Sequence, residues 1–111
     1  MVKKITSLLS AAAPLFALAA SPTYAGAADD GAALAAKHAC AACHSIDKKI
    51  IGPAYKEVSA KYKGNKEALE LLEKKVRDGG SGVWGAIPMP PHKGKVSDAD
   101  IKTIVTWVLA Q

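Results

Sequence analysis

The chain has 111 residues, of which 15 are basic and 10 acidic, so its formal net charge at pH 7 is +5. This length allows one small domain, and so mild a positive balance does not argue for a nucleic-acid partner. No phosphate-binding GxxxxGK(S/T) loop occurs in the sequence, so nucleotide hydrolysis of that type has no support.

Residues 1–25, MVKKITSLLSAAAPLFALAASPTYA, have the order of a secretory signal peptide. Two lysines precede an apolar run that ends in small residues, and cleavage is predicted after Ala25 or after Ala27. A membrane anchor is disfavoured, because Pro14 interrupts a run shorter than the ~20 apolar residues of a spanning helix. We therefore expect the signal peptide to be removed and residues 26–111 to form one periplasmic domain.

The mature domain is predicted to begin with an Ala-rich helix from Asp29 to about His44. This helix carries the only two cysteines of the sequence, Cys40 and Cys43, in the stretch KHACAACHSID. A disulfide across so short a loop stabilises little, because loop-closure entropy grows with loop length. The pair therefore has three candidate uses: a dithiol redox site, part of a metal site, or a covalent haem attachment.

The dithiol and zinc hypotheses lack the surroundings that they need. A thioredoxin-like CxxC belongs to a β-α-β pattern, whereas the upstream stretch GAALAAKHA shows no strand-like alternation. A structural zinc site needs four ligands, usually from two separated pairs, and His38 and His92 do not restore that spacing. CxxCH, in contrast, is the attachment pattern of c-type haem, in which one helical turn presents both sulfurs and His44 reaches the iron.

The rest of the domain has few large apolar side chains. Its four aromatic residues are Tyr55, Tyr62, Trp84 and Trp107. Domains this short often need a disulfide, a metal or a cofactor to complete their core. A haem would supply the missing apolar body.

Three further helices are predicted downstream. Pro53 suits the start of a short helix that runs to about Lys61. The segment NKEALELLEKKVRDGG is a third helix that its two glycines end, and its apolar stripe is Leu69, Leu72 and Val76. The last helix follows Ser97 as N-cap, and its stripe is Ile101, Ile104, Val105 and Val108. Four helices without a convincing strand predict an all-α fold.

The second axial ligand of a haem iron decides between electron transfer and ligand chemistry. Met89 is the only methionine of residues 26–111, and its three neighbouring prolines should keep the loop extended and stiff. Methionines more often fill gaps in a core, but this position downstream of CAACH favours ligation of the iron. His92 is the nearest rival ligand.

Three stretches, CAACHSIDKKIIGPAYKEV, GGSGVWGAIPMPPH and VSDADIKTIVTWVLAQ, closely resemble the small bacterial class I cytochromes c. The likeness is greatest to the periplasmic type that donates electrons to nitrite reductase, and it covers nearly all of residues 29–111. It implies the all-α class I cytochrome c fold, with about four helices wrapped around one covalently bound haem c and its iron, and with the first and last helices crossing.

The resemblance also implies roles for individual residues. Cys40 and Cys43 would bind the haem covalently, and His44 and Met89 would ligate the iron. The Pro53 carbonyl would accept a hydrogen bond from the ring N–H of His44 and so orient the ring.

Other positions of the resemblance concern the rim of the haem. Trp84 matches a tryptophan whose indole N–H bonds a haem propionate, with core packing as the alternative. His92 stands where the family often has an asparagine that bonds the methionine sulfur, and residues 93–95 resemble a short insertion. The apolar docking patch around the haem edge would be formed by Ile50, Ile51, Ile87, Pro88 and Pro90.

The expected function is one-electron transfer by a soluble, monomeric periplasmic carrier that is not an enzyme. Expected partners are an upstream donor, such as a quinol-oxidising complex, and a downstream nitrite reductase or terminal oxidase, all docking transiently. The steering charges would be Lys48, Lys49, Lys56 and Lys93. The alternative is an open-site haem enzyme or gas sensor, which needs a labile or absent methionine ligand.

Overall fold

The computed structural model describes residues 10–14 and 25–111. In the second range it describes side-chain burial from Asp30 onwards. The predicted signal peptide lies largely outside these residues, so its removal stays a prediction. Within the described ranges, no helix is both long and apolar enough to cross a membrane.

The described chain contains four α-helices and no β-strand, which confirms the expected all-α architecture. They are α1 (Ala25–Lys37), α2 (Tyr55–Lys61), α3 (Ala68–Asp78) and α4 (Asp98–Leu109), with a single 3₁₀ turn at Cys40–Ala42 between the first two. Only two isolated β-bridges occur in residues 25–111, His44 with Lys49 and Gly80 with Met89. The helices are therefore joined by long loops, and these loops carry most of the predicted site.

Helix α4 is the centre of the packing, because it contacts each of the other three helices. Ser97 caps it as predicted, its hydroxyl accepting a hydrogen bond from the Asp100 N–H at 3.2 Å. The apolar stripe predicted for this helix is buried along its length, and Ile101 is fully buried. The core cluster comprises Ala35, Tyr55, Val58, Leu72, Val96, Ile101, Ile104, Val105 and Val108.

Helices α1 and α4 cross closely at Gly31. A Cβ atom built at Gly31 would collide with the side chain of Trp107 and would lie 3.2 Å from the Thr103 carbonyl oxygen. At the other end of α1, the His38 ring Nε2 lies 3.1 Å from an Asp100 carboxylate oxygen. The expected crossing of the first and last helices is thus present, with Gly31 packed against Trp107 and a polar contact between His38 and Asp100.

The first helix ends at Lys37, so the predicted end near His44 was wrong. Ala39 adopts a left-handed conformation, with φ 61° and ψ 22°, which a right-handed helix cannot continue. The chain then makes the 3₁₀ turn that contains Cys40, and the His44 N–H closes it by donating to the Cys40 carbonyl at 3.0 Å. The two cysteines therefore lie in a turn of their own and not on α1.

Helices α2 and α3 differ little from their predicted bounds. Helix α2 begins at Tyr55, two residues after Pro53, and the Glu57 carboxylate accepts a hydrogen bond from the Ala54 N–H at 3.2 Å. Helix α3 ends as expected at Gly79, whose φ of 70° lies in the left-handed region that favours glycine. The start of α2 and the end of α3 both lie close to residues of the predicted site.

Candidate functional site

The cysteine turn supplies two half-buried thiols at one side of a cavity. Cys40 and Cys43 are not disulfide-bonded, and both line the cavity. Burial raises the pKa of the Cys40 thiol above its usual value, with Cys43 adding to the shift and a backbone hydrogen bond opposing it. The thiol state is therefore favoured over the nucleophilic thiolate at neutral pH, which argues against a dithiol redox pair.

His44 is held from several directions directly after this turn. Its ring Nδ1 lies 2.8 Å from the Pro53 carbonyl oxygen, so an Nδ1–H donates to that oxygen. The backbone of Gly52 lies directly against the ring, so that a Cβ atom built there would collide with the imidazole. The Tyr55 ring stacks on the imidazole with a centroid distance of 5.4 Å and an interplanar angle of 23°. With Nδ1 bonded to the backbone, Nε2 is the nitrogen available to a metal.

Met89 is held by the end of α3. Gly80 donates a backbone hydrogen bond to the Met89 carbonyl at 3.0 Å, and the Met89 N–H donates back to the Gly80 carbonyl at 2.9 Å. Gly79 allows this approach, because a Cβ atom at that position would collide with the Met89 carbonyl and lie 2.8 Å from the Pro91 nitrogen. The Met89 side chain is half-buried and lines the cavity.

The cavity itself has a volume of about 250 Å³ and lies between the cysteine turn, α2, the end of α3, the loop that carries Met89, and α4. Both thiols, His44 and Met89 line it together with mostly apolar side chains, including Val58, Leu72, Val76, Ile104, Val105 and Val108. No cluster of three or more His, Cys, Asp or Glu side chains suited to a bare metal ion occurs in the described residues. An apolar macrocycle that brings its own iron therefore fits this donor set better than a structural metal site does.

Lys75 lines the cavity and was not predicted from the sequence to do so. Lys75 and Lys49 are the charged side chains among the described residues that line the cavity. The Lys75 ammonium lies 3.0 Å from where a Cβ atom on Gly80 would be, next to the bridge between Gly80 and Met89. Its position could have been predicted from the sequence, because Lys75 follows Leu72 by three residues and so lies on the inward face of α3.

The loop from Ser81 to Pro88 forms the exposed rim of the cavity. Trp84 is 36% exposed and lines the cavity, and the Lys61 ammonium lies 5.4 Å from its ring centroid, within the range of a cation–π contact. Its burial does not match a tryptophan packed wholly in the core. Ile51, Val83 and Ile87 are exposed large apolar side chains that line the cavity, and Ile46 and Ile50 are exposed in the loop that leads to Ile51.

The two other histidines lie away from the cavity lining. The His92 N–H donates to the Val76 and Arg77 carbonyls, so the residue packs against the end of α3. Its buried Nδ1 has no hydrogen-bond partner in the described part of the chain. His38 is bonded to Asp100. Met89 is therefore better placed than His92 to reach a group bound in the cavity.

Comparison with known proteins gives a consistent family and fold. The cytochrome c family model matches residues 28–111. The chain is 53% identical over 76 residues to cytochrome c-551 of Allochromatium vinosum, covering 68% of this chain and 80% of that protein. It is 48% identical over 85 residues to cytochrome c-552 of Nitrosomonas europaea, covering 77% of this chain and 82% of that one. The crystal structure of wild-type Nitrosomonas europaea cytochrome c552 superposes with a TM-score of 0.67 and 49% identity, covering 70% of this chain and 95% of that structure.

Proposed function

Because the chain belongs to the cytochrome c family, whose members carry electrons on covalently bound haem c, we propose that it is a periplasmic one-electron carrier with His44 and Met89 as axial ligands. The haem supplies the Fe(II)/Fe(III) couple. The chain binds the group, orients its ligands and limits the access of water. In this proposal the protein transfers electrons between partners and is not itself an enzyme.

Cys40 and Cys43 attach the haem at the side of the cavity where their turn places them. The two thiols would hold the haem through thioether bonds, each formed by addition of the S–H across a vinyl group. His44 would present Nε2 to the iron while its Nδ1–H donates to the Pro53 carbonyl, to which the distance is 2.8 Å. This hydrogen bond raises the basicity of the ligating nitrogen and fixes its tautomer.

Met89 would supply its thioether sulfur to the iron from a loop whose backbone is held in place. Its N–H and its carbonyl are both hydrogen-bonded to Gly80, and the flanking prolines restrict φ. A thioether held in this way would keep the iron closed to external ligands and favour a relatively high potential.

Lys75 and Trp84 would hold the haem carboxylates. A haem carries two propionates, and a partly buried charge in an apolar cavity is stable only when it is paired. Lys75 is a half-buried cation of the lining, and the indole N–H of Trp84 is a donor at the rim. The exposed isoleucines around the rim form a small apolar docking surface for transient redox partners, and nitrite reductase and a terminal oxidase are the proposed acceptors.

The observation that carries this proposal is that the CxxCH turn and Met89 line one apolar cavity. The test is the visible spectrum of protein matured in a periplasm, recorded oxidised and reduced, with and without carbon monoxide. We expect a low-spin spectrum with the weak methionine–iron charge-transfer band and no response to carbon monoxide. A high-spin spectrum that shifts with carbon monoxide would reject the carrier and support an open-site haem enzyme or sensor.

The same preparation tests the export of the chain. The intact mass should correspond to one haem plus residues 26–111 or 28–111, and the protein should be released with the periplasmic fraction. A mass that retains residues 1–25 would contradict the signal-peptide prediction. Stopped-flow oxidation by purified nitrite reductase and by a terminal oxidase would then rank the two acceptors.

A further inference from the structure

The His44 ring is one end of a column of aromatic side chains that reaches the crossing of α1 and α4. Tyr55 stacks on His44 at 5.4 Å, and the edge of the Trp107 ring meets Tyr55 with a centroid distance of 5.0 Å and an interplanar angle of 69°. Trp107 in turn packs against Gly31, where no Cβ atom would fit. The column therefore joins the predicted iron ligand to the main helix contact of the fold.

We propose that Tyr55, supported from behind by Trp107, is a positioning residue that fixes the plane of the His44 imidazole. The proposal rests on the proposed function, since it concerns the same axial ligand. The Tyr55 ring stacks on the imidazole, and the backbone of Gly52 approaches the same ring so closely that a Cβ atom built there would collide with it. Both contacts restrict the movement of the imidazole.

The hydrogen bond to Pro53 does not by itself define that plane. The χ2 torsion of histidine is broad, and a carbonyl oxygen accepts hydrogen bonds over a wide range of directions. A ring held at Nδ1 alone can therefore tilt and rotate. The close contacts with Tyr55 and Gly52 restrict this freedom, because a packed interior resists displacement of its side chains.

The ring of Tyr55, and not its hydroxyl, carries the effect. The ring makes the stacking contact with His44, whereas the buried hydroxyl has no hydrogen-bond partner in the described residues. A phenylalanine would keep every contact with His44 that the proposal uses.

The plane of an axial imidazole can be measured directly in the oxidised holoprotein. The order and spread of the four haem-methyl proton shifts follow the orientation of the axial ligand planes, and the EPR g values respond to the same geometry. We expect Tyr55→Phe to reproduce the wild-type shift pattern. Tyr55→Leu should reorder the methyl shifts or move them by more than the difference between wild type and Tyr55→Phe. Trp107→Leu should move them in the same direction by a smaller amount.

Tyr62→Leu is the matched control, because Tyr62 lies just beyond the end of α2, is half-buried and does not line the cavity. It removes the same atoms and should lower stability without changing the methyl pattern. A wild-type pattern in Tyr55→Leu would overturn the proposal, and so would an equal change in Tyr62→Leu or in Tyr55→Phe. If Tyr55→Leu does not fold, Trp107→Leu and Trp107→Phe decide: the leucine variant must move the pattern and the phenylalanine variant must move it less.

These results can be separated from a failure of the proposed function. An open, carbon monoxide-binding iron in the wild-type protein would reject the carrier before any variant is compared. A closed low-spin iron in the wild type, with no response of the methyl shifts to Tyr55→Leu, would leave the carrier intact and reject only the role of Tyr55.

Discussion

Gly80 and Met89 exchange two backbone hydrogen bonds, of 3.0 and 2.9 Å, although nothing else in the loop between them is paired into a ladder. This bridge places Met89, the one methionine of residues 26–111, at the edge of the cavity. The position of Met89 therefore depends on the glycines that follow α3.

We expect Met89→Ala to leave the haem attached and to open one axial position. The reduced protein should then bind carbon monoxide, and the midpoint potential should fall, because a thioether ligand favours Fe(II). Optical redox titration and carbon monoxide difference spectra measure both effects. Ile87→Ala is the control, because Ile87 lies in the same loop and its side chain is 66% exposed. A Met89→Ala protein that does not bind carbon monoxide would show that another residue closes the iron.

Gly79→Ala should weaken the attachment of the methionine loop to α3. The substitution places a side chain at φ 70° and forces it against the Met89 carbonyl, and the left-handed conformation alone costs ~1–2 kcal/mol. The free energy of unfolding, measured with denaturant, should fall by more than this amount, and the methionine–iron band should weaken. Gly82→Ala is the matched control, since its φ of 105° is also left-handed but no atom lies within 4 Å. Equal losses in the two variants would show that the contact with Met89 is unimportant.

Ala39→Gly should stabilise the holoprotein. Ala39 is the one non-glycine residue with positive φ in the described chain, at 61°, and glycine adopts this conformation without the steric penalty of a Cβ atom. The greater entropy of glycine in the unfolded chain offsets part of the gain, so the net increase in the free energy of unfolding should be ~0.5–1 kcal/mol. Ala36→Gly, at an exposed position inside α1, should instead lower stability. Loss of stability in both variants would contradict the strain assigned to Ala39.

Lys75→Gln should lower the midpoint potential. A cation near the haem disfavours the extra positive charge of Fe(III), so its removal favours the oxidised state. Lys75→Arg should retain most of the wild-type potential, and Lys74→Gln, on the exposed side of α3 and away from the cavity lining, should have a smaller effect that salt screens. If the Lys74 and Lys75 variants give the same change at high ionic strength, Lys75 is not a specific partner of the haem carboxylates.

The helices were predictable because their signals are local. The apolar stripe of α4 and its N-cap Ser97 can each be recognised from residues a few positions apart in the sequence, and the structure confirms both. The end of α1 was not predictable in this way, because alanine is a good helix former and nothing in its neighbours demands a left-handed conformation at Ala39. The CxxCH turn and Met89 could be chosen from their residue types, whereas their roles at the iron remain predictions.

Residues that act through tertiary contacts were harder to find. Tyr55 had no predicted role at the site, and its stacking on His44 depends on the approach of α2 to the loop after the cysteine turn. Lys75 had no predicted role either, although its spacing from Leu72 places it on the buried face of α3. Charged residues within an apolar stripe are therefore worth separate attention when a cofactor is expected to occupy the core.

The contact of Gly31 with Trp107 also constrains the order in which the molecule can be assembled. The two residues that meet there lie near opposite ends of the domain, so α1 cannot pack against α4 until nearly the whole chain has been synthesised. Contacts of such long range close a large loop and slow the folding step that forms them. A nascent chain that stops short of α4 should remain unfolded, because the residues of α4 complete the core.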